Sequence, residues 1–338
     1  MKLLYRYILK NLYKSFFMFL ALFSVIIISS QFMHLPSVVY FMNIFEFIKL
    51  VFFVDFSFFK YQLLFAVFLS AVIVGYNIRE NRELYAIYSS GISKDDILKP
   101  VKIFSVLFFI LSFFVSFFLV PYANRERANF VTVNVKRYFL ESVQPKNFSK
   151  ISSDIVIYAE KKENRKIDNL FIYLQKKGQT ITAQKAEFNG TNLILKNGFI
   201  QIPEKNGFNI LFFKEYTFNI DVKYVKRYSM ENYKNKKLFE IAKGNSKKKN
   251  KAVAILTDRF TFSIPFIFIG LIGFLLGIQS FKGREFLVSV AVVIAIGYML
   301  LNFLFIKLVS SGFLPFFVHP VVIFVYFWVI YRYIYSKT

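Results

Sequence analysis

The residues whose types and spacing suggest chemistry lie in one polar segment, NIRENRELYAIYSSGISKDDILKP, at residues 77–100. After a charged stretch, apolar side chains recur at helical spacing, and a glycine stands where a left-handed residue ends a helix. These positions are Leu84, Ile87, Tyr88 and Gly91. Ser93 and Asp96 then have the spacing of a capping box, with Asp in place of the commoner Glu. The segment therefore predicts a short amphipathic helix, a Ser-Gly hinge and the start of a second helix.

Two interpretations of this amphipathic helix remain open from spacing alone. In the first, the helix lies on the membrane surface without a partner. In the second, it is a coupling helix that docks in a groove of a cytoplasmic ATPase, with Glu83 as a fixed negative charge for a basic partner. The chain has no glycine-rich loop ending in Gly-Lys-Ser or Gly-Lys-Thr, so an ATP-driven function needs a separate ATPase chain.

Other catalytic and metal-binding patterns are missing from the sequence. There are no cysteines, and His34 and His319 stand alone near the ends of apolar stretches, which predicts interfacial residues rather than metal ligands. No Gly-x-Ser-x-Gly motif and no paired carboxylates within an apolar stretch occur. We therefore expect neither an enzyme nor a bound cofactor or metal.

The composition places the chain in a membrane. Of its 338 residues 56% are hydrophobic and 47 are phenylalanine, which is more apolar surface than a soluble domain of this size can bury. The excess must face lipid. The net charge of +24 suits anionic lipid head groups or phosphorylated glycolipids, and in a membrane context it favours lipid over nucleic acid.

Six stretches without Asp, Glu, Lys or Arg predict transmembrane helices, because each is about long enough to cross a hydrocarbon core of roughly 30 Å. They are Ser15–Met33, Tyr61–Ile78, Ile103–Asn124, Phe260–Phe281, Phe286–Ile306 and Leu308–Tyr331. The apolar stretch Val38–Phe59 is interrupted by Glu46, Lys49 and Asp55, which favours a segment along the outer interface that leads into the second span.

The orientation follows from lysines and arginines in the short segments. These residues are concentrated before the first span, after the second, after the fourth and at the end of the chain. The positive-inside rule assigns those segments to the cytoplasm. Both termini are then cytoplasmic, and Arg125–Arg259 lies outside, since a long translocated domain is largely exempt from the charge rule.

The external segment has the pattern of β-strands. Alternating runs separated by turn signals occur at Asp154–Lys162, Lys166–Gln175, Thr180–Phe188, Asn192–Ile202 and Phe208–Asp221. We expect Ile155, Ile157, Phe171 and Tyr173 to share the inward face. The Lys- and Asn-rich stretch Tyr233–Lys251 is typical of a solvated basic connector back to the membrane.

The predicted fold class is therefore a membrane α-helical protein with six transmembrane helices and an inserted periplasmic all-β domain, a jelly-roll-like open antiparallel sandwich. Residues 1–124 carry helices one to three with a cytoplasmic coupling loop at 79–102. Residues 125–252 form the β domain and the basic connector. Residues 253–338 carry helices four to six.

Several strings in this order make the chain resemble the lipopolysaccharide-export permease family LptF/LptG. They are Arg6-Tyr7, the REL…SSGIS loop at Arg82–Ser93, VPYAN at Val120–Asn124, DRFTFSIPFIFIGLIGFLLG at Asp258–Gly277 and SGFLPFFVHP at Ser311–Pro320, with the β insert between the third and fourth. The resemblance covers nearly the whole chain.

The resemblance implies a permease that works with several partners. They are a second homologous permease subunit, a cytoplasmic ATPase dimer, a periplasmic β-jelly-roll bridge protein and lipopolysaccharide, with no nucleic acid. Lipopolysaccharide would leave the outer leaflet of the inner membrane and pass to the bridge. The family's coupling glutamate falls on Glu83, and the candidate coupling residues are Arg82, Glu83, Leu84, Ile87, Tyr88, Ser90 and Gly91.

The chain departs from the family near the outer end of the first helix. Family members commonly carry a lysine there that would pair with substrate phosphate, whereas this sequence has Gln31. Topology and phosphate pairing make Arg125, Arg127 and Lys307 candidates for that role. The alternative for these three is an ordinary snorkelling or juxtamembrane cation.

Two other functions stay open at this stage. One is a permease for another lipid or a lipoprotein, which would share the coupling loop. The other is a membrane scaffold that displays a periplasmic β domain without transport, which would need no coupling helix.

Overall fold

The computed structural model describes residues 2–33, 42–138, 142–152, 155–189, 192–204, 207–219, 230–244, 248–279 and 283–337. His34 lies outside these residues. The chain divides into two compact units. One comprises Met1–Ser29, Val54–Asn124 and Ser229–Thr338, and the other comprises Ser30–Phe53 and Arg125–Tyr228.

Most of the described helices follow the apolar stretches of the sequence. They are α1 (Lys2–Phe32), α2 (Ile44–Glu80), α3 (Glu83–Ser89), α4 (Lys94–Phe114), α5 (Val120–Arg137), α6 (Asn235–Lys243), α7 (Lys249–Thr261), α8 (Phe266–Gln279), α9 (Arg284–Ser310) and α10 (Val318–Lys337). Among the described residues, five helical stretches are long and apolar enough to cross a membrane, and there are six if α7 and α8, which meet at a bend of 44°, count as one span. The membrane α-helical class is confirmed.

Helix α2 is longer than the sequence predicts. It runs without a break from Ile44 to Glu80, which at 1.5 Å per residue is about 55 Å. The stretch expected along the interface is thus, from Ile44 onward, the first part of the same helix, while residues 38–41 lie outside the described part. Its acidic groups do not end the helix because they are partnered: Glu46 accepts a hydrogen bond from Tyr138 at 2.9 Å, and Asp55 accepts one from Gln62 at 2.6 Å.

A π-helical segment, Val115–Leu119, joins α4 to α5 just before a proline. Pro121 has no N–H to donate to the carbonyl of Phe117, four residues earlier, and its ring disfavours regular α-geometry there. The side-chain amide of Asn235 donates to that carbonyl instead, at 2.9 Å. The break in the helical hydrogen bonds therefore serves as the attachment point for α6.

The bend between α7 and α8 also has a proline at its end. Pro265 cannot donate to the carbonyl of Thr261, and residues 262–265 form a turn before α8 begins. Beyond it, α8 packs closely on α2 through small residues. A Cβ on Gly75 would lie 2.5 Å from the Phe274 carbonyl oxygen, and one on Gly277 would lie 2.4 Å from that of Val72. Glycine at both positions lets the two backbones touch, as in other membrane helix pairs.

The inserted domain contains an antiparallel sheet, as predicted. Its strands are β1 (Phe148–Ser152), β2 (Ile155–Glu163), β3 (Lys166–Leu174), β4 (Gln179–Asn189), β5 (Asn192–Glu204) and β6 (Gly207–Asn219). Each pairs with the next in chain order, so the described strands form one open meander. The sequence predicted a jelly-roll-like sandwich and did not predict β1.

The faces of the sheet correct one prediction. Ile157 pairs with Ile172 and Ile155 pairs with Leu174, and directly opposed residues share a face. Phe171 and Tyr173 therefore lie on the other face from the two isoleucines, and the expected common inward face is wrong. The alternation within each strand was predicted correctly. Which residues of β3 share a face with which residues of β2 depends on the pairing register, and the turn between the two strands sets that register.

The basic connector is not a solvated linker over residues 235–243. These residues form α6, whose Leu238 is fully buried with Met230, Ala252 and Ile255. Arg259 of α7, itself buried, donates to Asn235 and to the carbonyl of Glu231 at 2.5 Å. The segment is rich in lysine overall, but Leu238, Ile241 and Ala242 lie on one face of α6. This apolar face is enough to pack the helix on α7.

Candidate functional site

The loop after α2 has the local structure that its sequence predicts. Helix α3 spans Glu83–Ser89, and Gly91 has a φ of +76°, the left-handed geometry that ends such a helix. The side chain of Ser93 accepts a hydrogen bond from the backbone N–H of Asp96 at 3.2 Å, which caps α4. Arg82 also adopts a left-handed φ of +59°, which the sequence did not predict.

The two faces of α3 are distinct. Leu84 and Ile87 pack against the apolar core of the helical unit. Tyr85 and Tyr88 point outward, with 69% and 40% of their surface exposed, and partial burial raises the pKa of the Tyr88 hydroxyl above its ordinary value. The sequence grouped Tyr88 with the apolar face and gave no role to Tyr85. The outer face of α3 is thus a pair of tyrosines available to a partner.

Glu83 is held by two neighbours. Tyr7 of α1 donates its hydroxyl toward both carboxylate oxygens at 3.0 Å, and the side-chain amide of Asn81 donates to one of them at 3.3 Å. The carboxylate therefore ties α3 to α1 in addition to lying in the first turn of its own helix. Tyr7 stands in the Arg6-Tyr7 string, but nothing in the sequence indicated this contact.

The hydroxyls that follow are turned back onto α3. Ser89 and Ser90 donate to the carbonyl of Ala86 at 3.0 and 2.7 Å. They close the last turn of a helix that is only seven residues long. Ser90 and Gly91 thus shape the end of α3, and both remain exposed.

The start of α4 is fastened to the end of α10. Asp95 accepts a hydrogen bond from the Tyr335 hydroxyl at 3.1 Å. Lys94 donates to the Tyr335 carbonyl at 2.9 Å, and its amine lies 3.9 Å from the centre of the same ring. The segment from α3 to α4 is thus anchored to α1 on one side and to α10 on the other.

The candidate lipid-contacting residues lie on three different helices. Gln31 is near the end of α1, Arg125 and Arg127 are in α5, and Lys307 is in the last turn of α9. Nε of Arg125 lies 3.5 Å from Oε1 of Glu126, with which it forms an ion pair. The Lys307 amine lies 4.7 Å from the centre of the Phe303 ring.

A buried chain of polar side chains, which the sequence did not predict, connects four helices. Lys60 of α2 pairs with Asp258 of α7 at 3.2 Å, and the other oxygen of Asp258 accepts from the Asn302 amide of α9 at 2.7 Å. The Asn302 oxygen lies 2.9 Å from Nε2 of His319 in α10. His319, in the first turn of α10, is fully buried, so it does not stand alone as the sequence suggested.

Aromatic rings enclose this polar chain. The Lys60 amine lies 4.7 Å from the centre of the Phe262 ring, and the His319 ring stacks on Phe305 at 5.8 Å. The hydroxyl of Tyr298 and Nδ1 of His319 are buried without a hydrogen-bond partner among the described residues. The sequence did contain a signal for this pair: Lys60 and Asp258 are opposite charges that border apolar stretches in two different helices. Charges at such positions are generally paired inside the protein.

A second polar cluster joins α1 to α2. Ser24 donates to Gln62 at 3.2 Å, and Gln62 donates to Asp55. Within the described part of the chain, no group of three or more Asp, Glu or His side chains is placed to hold a metal ion. The polar groups of the helical unit thus bind one another and connect helices.

Comparison with known proteins identifies one family. The family described as lipopolysaccharide export system permease LptF/LptG matches residues 6–337. No curated protein matches the chain.

Proposed function

We propose an export mechanism for this chain, which belongs to the lipopolysaccharide export permease family LptF/LptG and is a multi-pass inner-membrane protein. In our proposal the chain is the permease subunit of an ATP-driven exporter. It extracts lipopolysaccharide from the outer leaflet of the inner membrane and passes it to a periplasmic β-sheet bridge. A cytoplasmic ATPase dimer and a second homologous permease subunit complete the complex.

In this proposal α3 and both termini face the cytoplasm, and the sheet faces the periplasm. The support is the bias of lysine and arginine toward the short segments at one end of the spans. A soluble ATPase can then reach α3, and the sheet can meet a periplasmic partner.

The ATPase proposal rests on two features of α3, namely its exposed outer face and its hydrogen bonds to α1. Its exposed tyrosines form a contact surface, and its Glu83 carboxylate is bonded to Tyr7 of α1. Because a docked partner moves α3 as it closes, the same contact moves α1 with it. A helix lying passively on a membrane would need no such bond to another helix.

The lipid path must remain apolar. Exposing a lipid chain to water costs about 0.8 kcal/mol for each methylene, so unaided extraction is prohibitively slow. Edge strand β6 carries exposed Phe208, Ile210 and Phe212. Among the described strands, β6 pairs only with β5. A sheet edge with apolar side chains suits the addition of a strand from a bridge protein, which would continue the sheet outward. Gln31, Arg125, Arg127 and Lys307 are our candidates for contact with lipid phosphate.

The test is affinity purification of the tagged chain from native membranes, with mass spectrometry of bound proteins and lipids. We expect a soluble ATPase, a second six-span permease and lipopolysaccharide. A Tyr85→Ser/Tyr88→Ser variant should lose the ATPase, whereas Tyr216→Ser, an exposed tyrosine of β6, should retain it. Recovery of the wild-type chain alone with bulk phospholipid would favour a scaffold over an exporter.

A further inference from the structure

A cavity of about 1020 Å³ lies where the end of α4, helices α6 and α7 and the loop between α9 and α10 meet. Each of these elements contributes phenylalanine, as do the π-helical residues. Examples are Phe113, Phe117, Phe239, Phe260 and Phe313. None of the described residues that line the cavity belongs to α1 or α2, and none is a candidate lipid-contacting residue of the export path.

The lining suits a lipid chain better than water. Phe313 is 78% exposed, and Phe316 and Phe317 are each more than half exposed. These rings follow directly on α9 and precede α10, so they lie at the end of two apolar spans, near the membrane boundary. The cavity is at the upper end of the 300–1,000 Å³ or so that is typical of ligand sites. An acyl chain entering from the bilayer would cover the exposed rings.

The charge around the cavity is positive. Lys249 is the one charged side chain among the described lining residues. The stretch of sequence that contains α6 and the start of α7, residues 234–251, has a single acid, Glu240, against many lysines. The lysines of α6 and of the start of α7 are Lys236, Lys237, Lys243, Lys249 and Lys251. A basic helix with one apolar stripe, such as α6, is typical of helices that lie at the surface of anionic membranes.

We propose that this cavity holds an acyl chain of an anionic membrane phospholipid, with the lipid phosphate bound by Lys249. The lipid is a retained component of the permease and is distinct from its cargo. Among the described lining residues, only Asn250 and Thr257 offer polar side chains besides Lys249. Recognition of a sugar-rich lipid would need more hydrogen-bonding groups, so the lining favours a phospholipid over lipopolysaccharide. The proposal depends on the membrane-spanning fold and is independent of ATPase coupling.

The test uses the full chain in nanodiscs of phosphatidylethanolamine that contain a phosphatidylglycerol with a photoactivatable group in its acyl chain. After illumination, labelled peptides are mapped by mass spectrometry. We expect labelling concentrated in residues 239–257 and 309–317. A phosphatidylethanolamine probe with the same acyl group should label these peptides less. Lys249→Glu should lower labelling by the anionic probe at least about fivefold, since one lysine near an anionic lipid contributes about that factor.

Two further variants separate the cavity from general lipid contact. Val253→Trp fills the cavity, and Phe313→Ser changes only its exposed rim. Both should reduce labelling, whereas Ile110→Trp, on the exposed face of α4, should not. Equal labelling of the Ile110 region, or labelling unchanged by both cavity variants, would overturn the proposal. So would recovery of crosslinked lipopolysaccharide in place of phospholipid when both are present, because the cavity would then belong to the export path.

Discussion

The ion pair between Lys60 and Asp258 offers the sharpest test of how the helical unit is held together. The two side chains are only 12% and 15% exposed and lie 3.2 Å apart. Removing one partner of a buried pair leaves a charge without compensation, which typically costs about 3–5 kcal/mol. We therefore expect Asp258→Leu to lower the free energy of unfolding by about that amount, and Lys60→Leu to do the same.

The double variant distinguishes this explanation from a general loss of packing. With both charges replaced by leucine, the remaining cost is the Asn302 amide, which loses its acceptor, and that is about 1–3 kcal/mol. The double variant should thus be more stable than either single one. A further control is Glu80→Leu, at the end of α2, where a mostly exposed acid should change stability by less than about 0.5 kcal/mol.

The measurement is denaturant unfolding of the purified chain in one detergent, with all variants compared under identical conditions. Each free energy is taken from the midpoint and slope of a reversible transition. If the costs of the two single variants simply add in the double variant, the two charges do not interact. The ion pair would then have no part in joining α2 to α7.

Four other substitutions test three separate contacts. Glu83→Gln should leave unfolding within about 0.5 kcal/mol of the wild type but reduce ATP-driven lipid release, and Tyr7→Phe should act in the same direction; normal release by both in a reconstituted complex would contradict the coupling role. Asn235→Leu should cost about 1–3 kcal/mol, because the Phe117 carbonyl loses its donor and Arg259 loses one of its acceptors; an unchanged unfolding midpoint would show that neither hydrogen bond contributes to stability. Gly277→Ala should cost about 1–3 kcal/mol by overpacking the α2–α8 crossing, read by the same unfolding assay, and a neutral result would mean that the helices separate freely.

Much of the helical architecture could be predicted because each span is a long apolar run. The limits of the spans could not, since a hydropathy reading treats every charge as a residue in water. Lys60 sets the limit of the second predicted span, and Asp258 lies two residues before the fourth begins, but in the fold the two side chains pair with each other inside the protein. The partner of a buried charge lies on another helix, so its position depends on tertiary packing.

The loop that carries α3, between α2 and α4, shows the same division between local and tertiary features. Its helix, its glycine turn and the Ser93 cap depend on neighbouring residues and were predicted. The contact of Glu83 with Tyr7 joins residues 76 positions apart and has no local signature. In the sheet, alternation gave the two faces of each strand, but the pairing of Ile157 with Ile172 was needed to match one strand to the next.

Helix α10 connects the two polar regions of the helical unit. At one end Tyr335 contacts Lys94 and Asp95, beside α3. At the other end His319 joins the buried chain that contains Asn302 and Asp258. Helix α10 has 20 residues and is about 30 Å long, so it spans the distance between the two regions. If a partner displaces α3 and α4, as we propose, α10 offers a route of contacts from there to α7 and α9. This is why loss of the buried chain should impair lipid release more than its effect on stability alone explains.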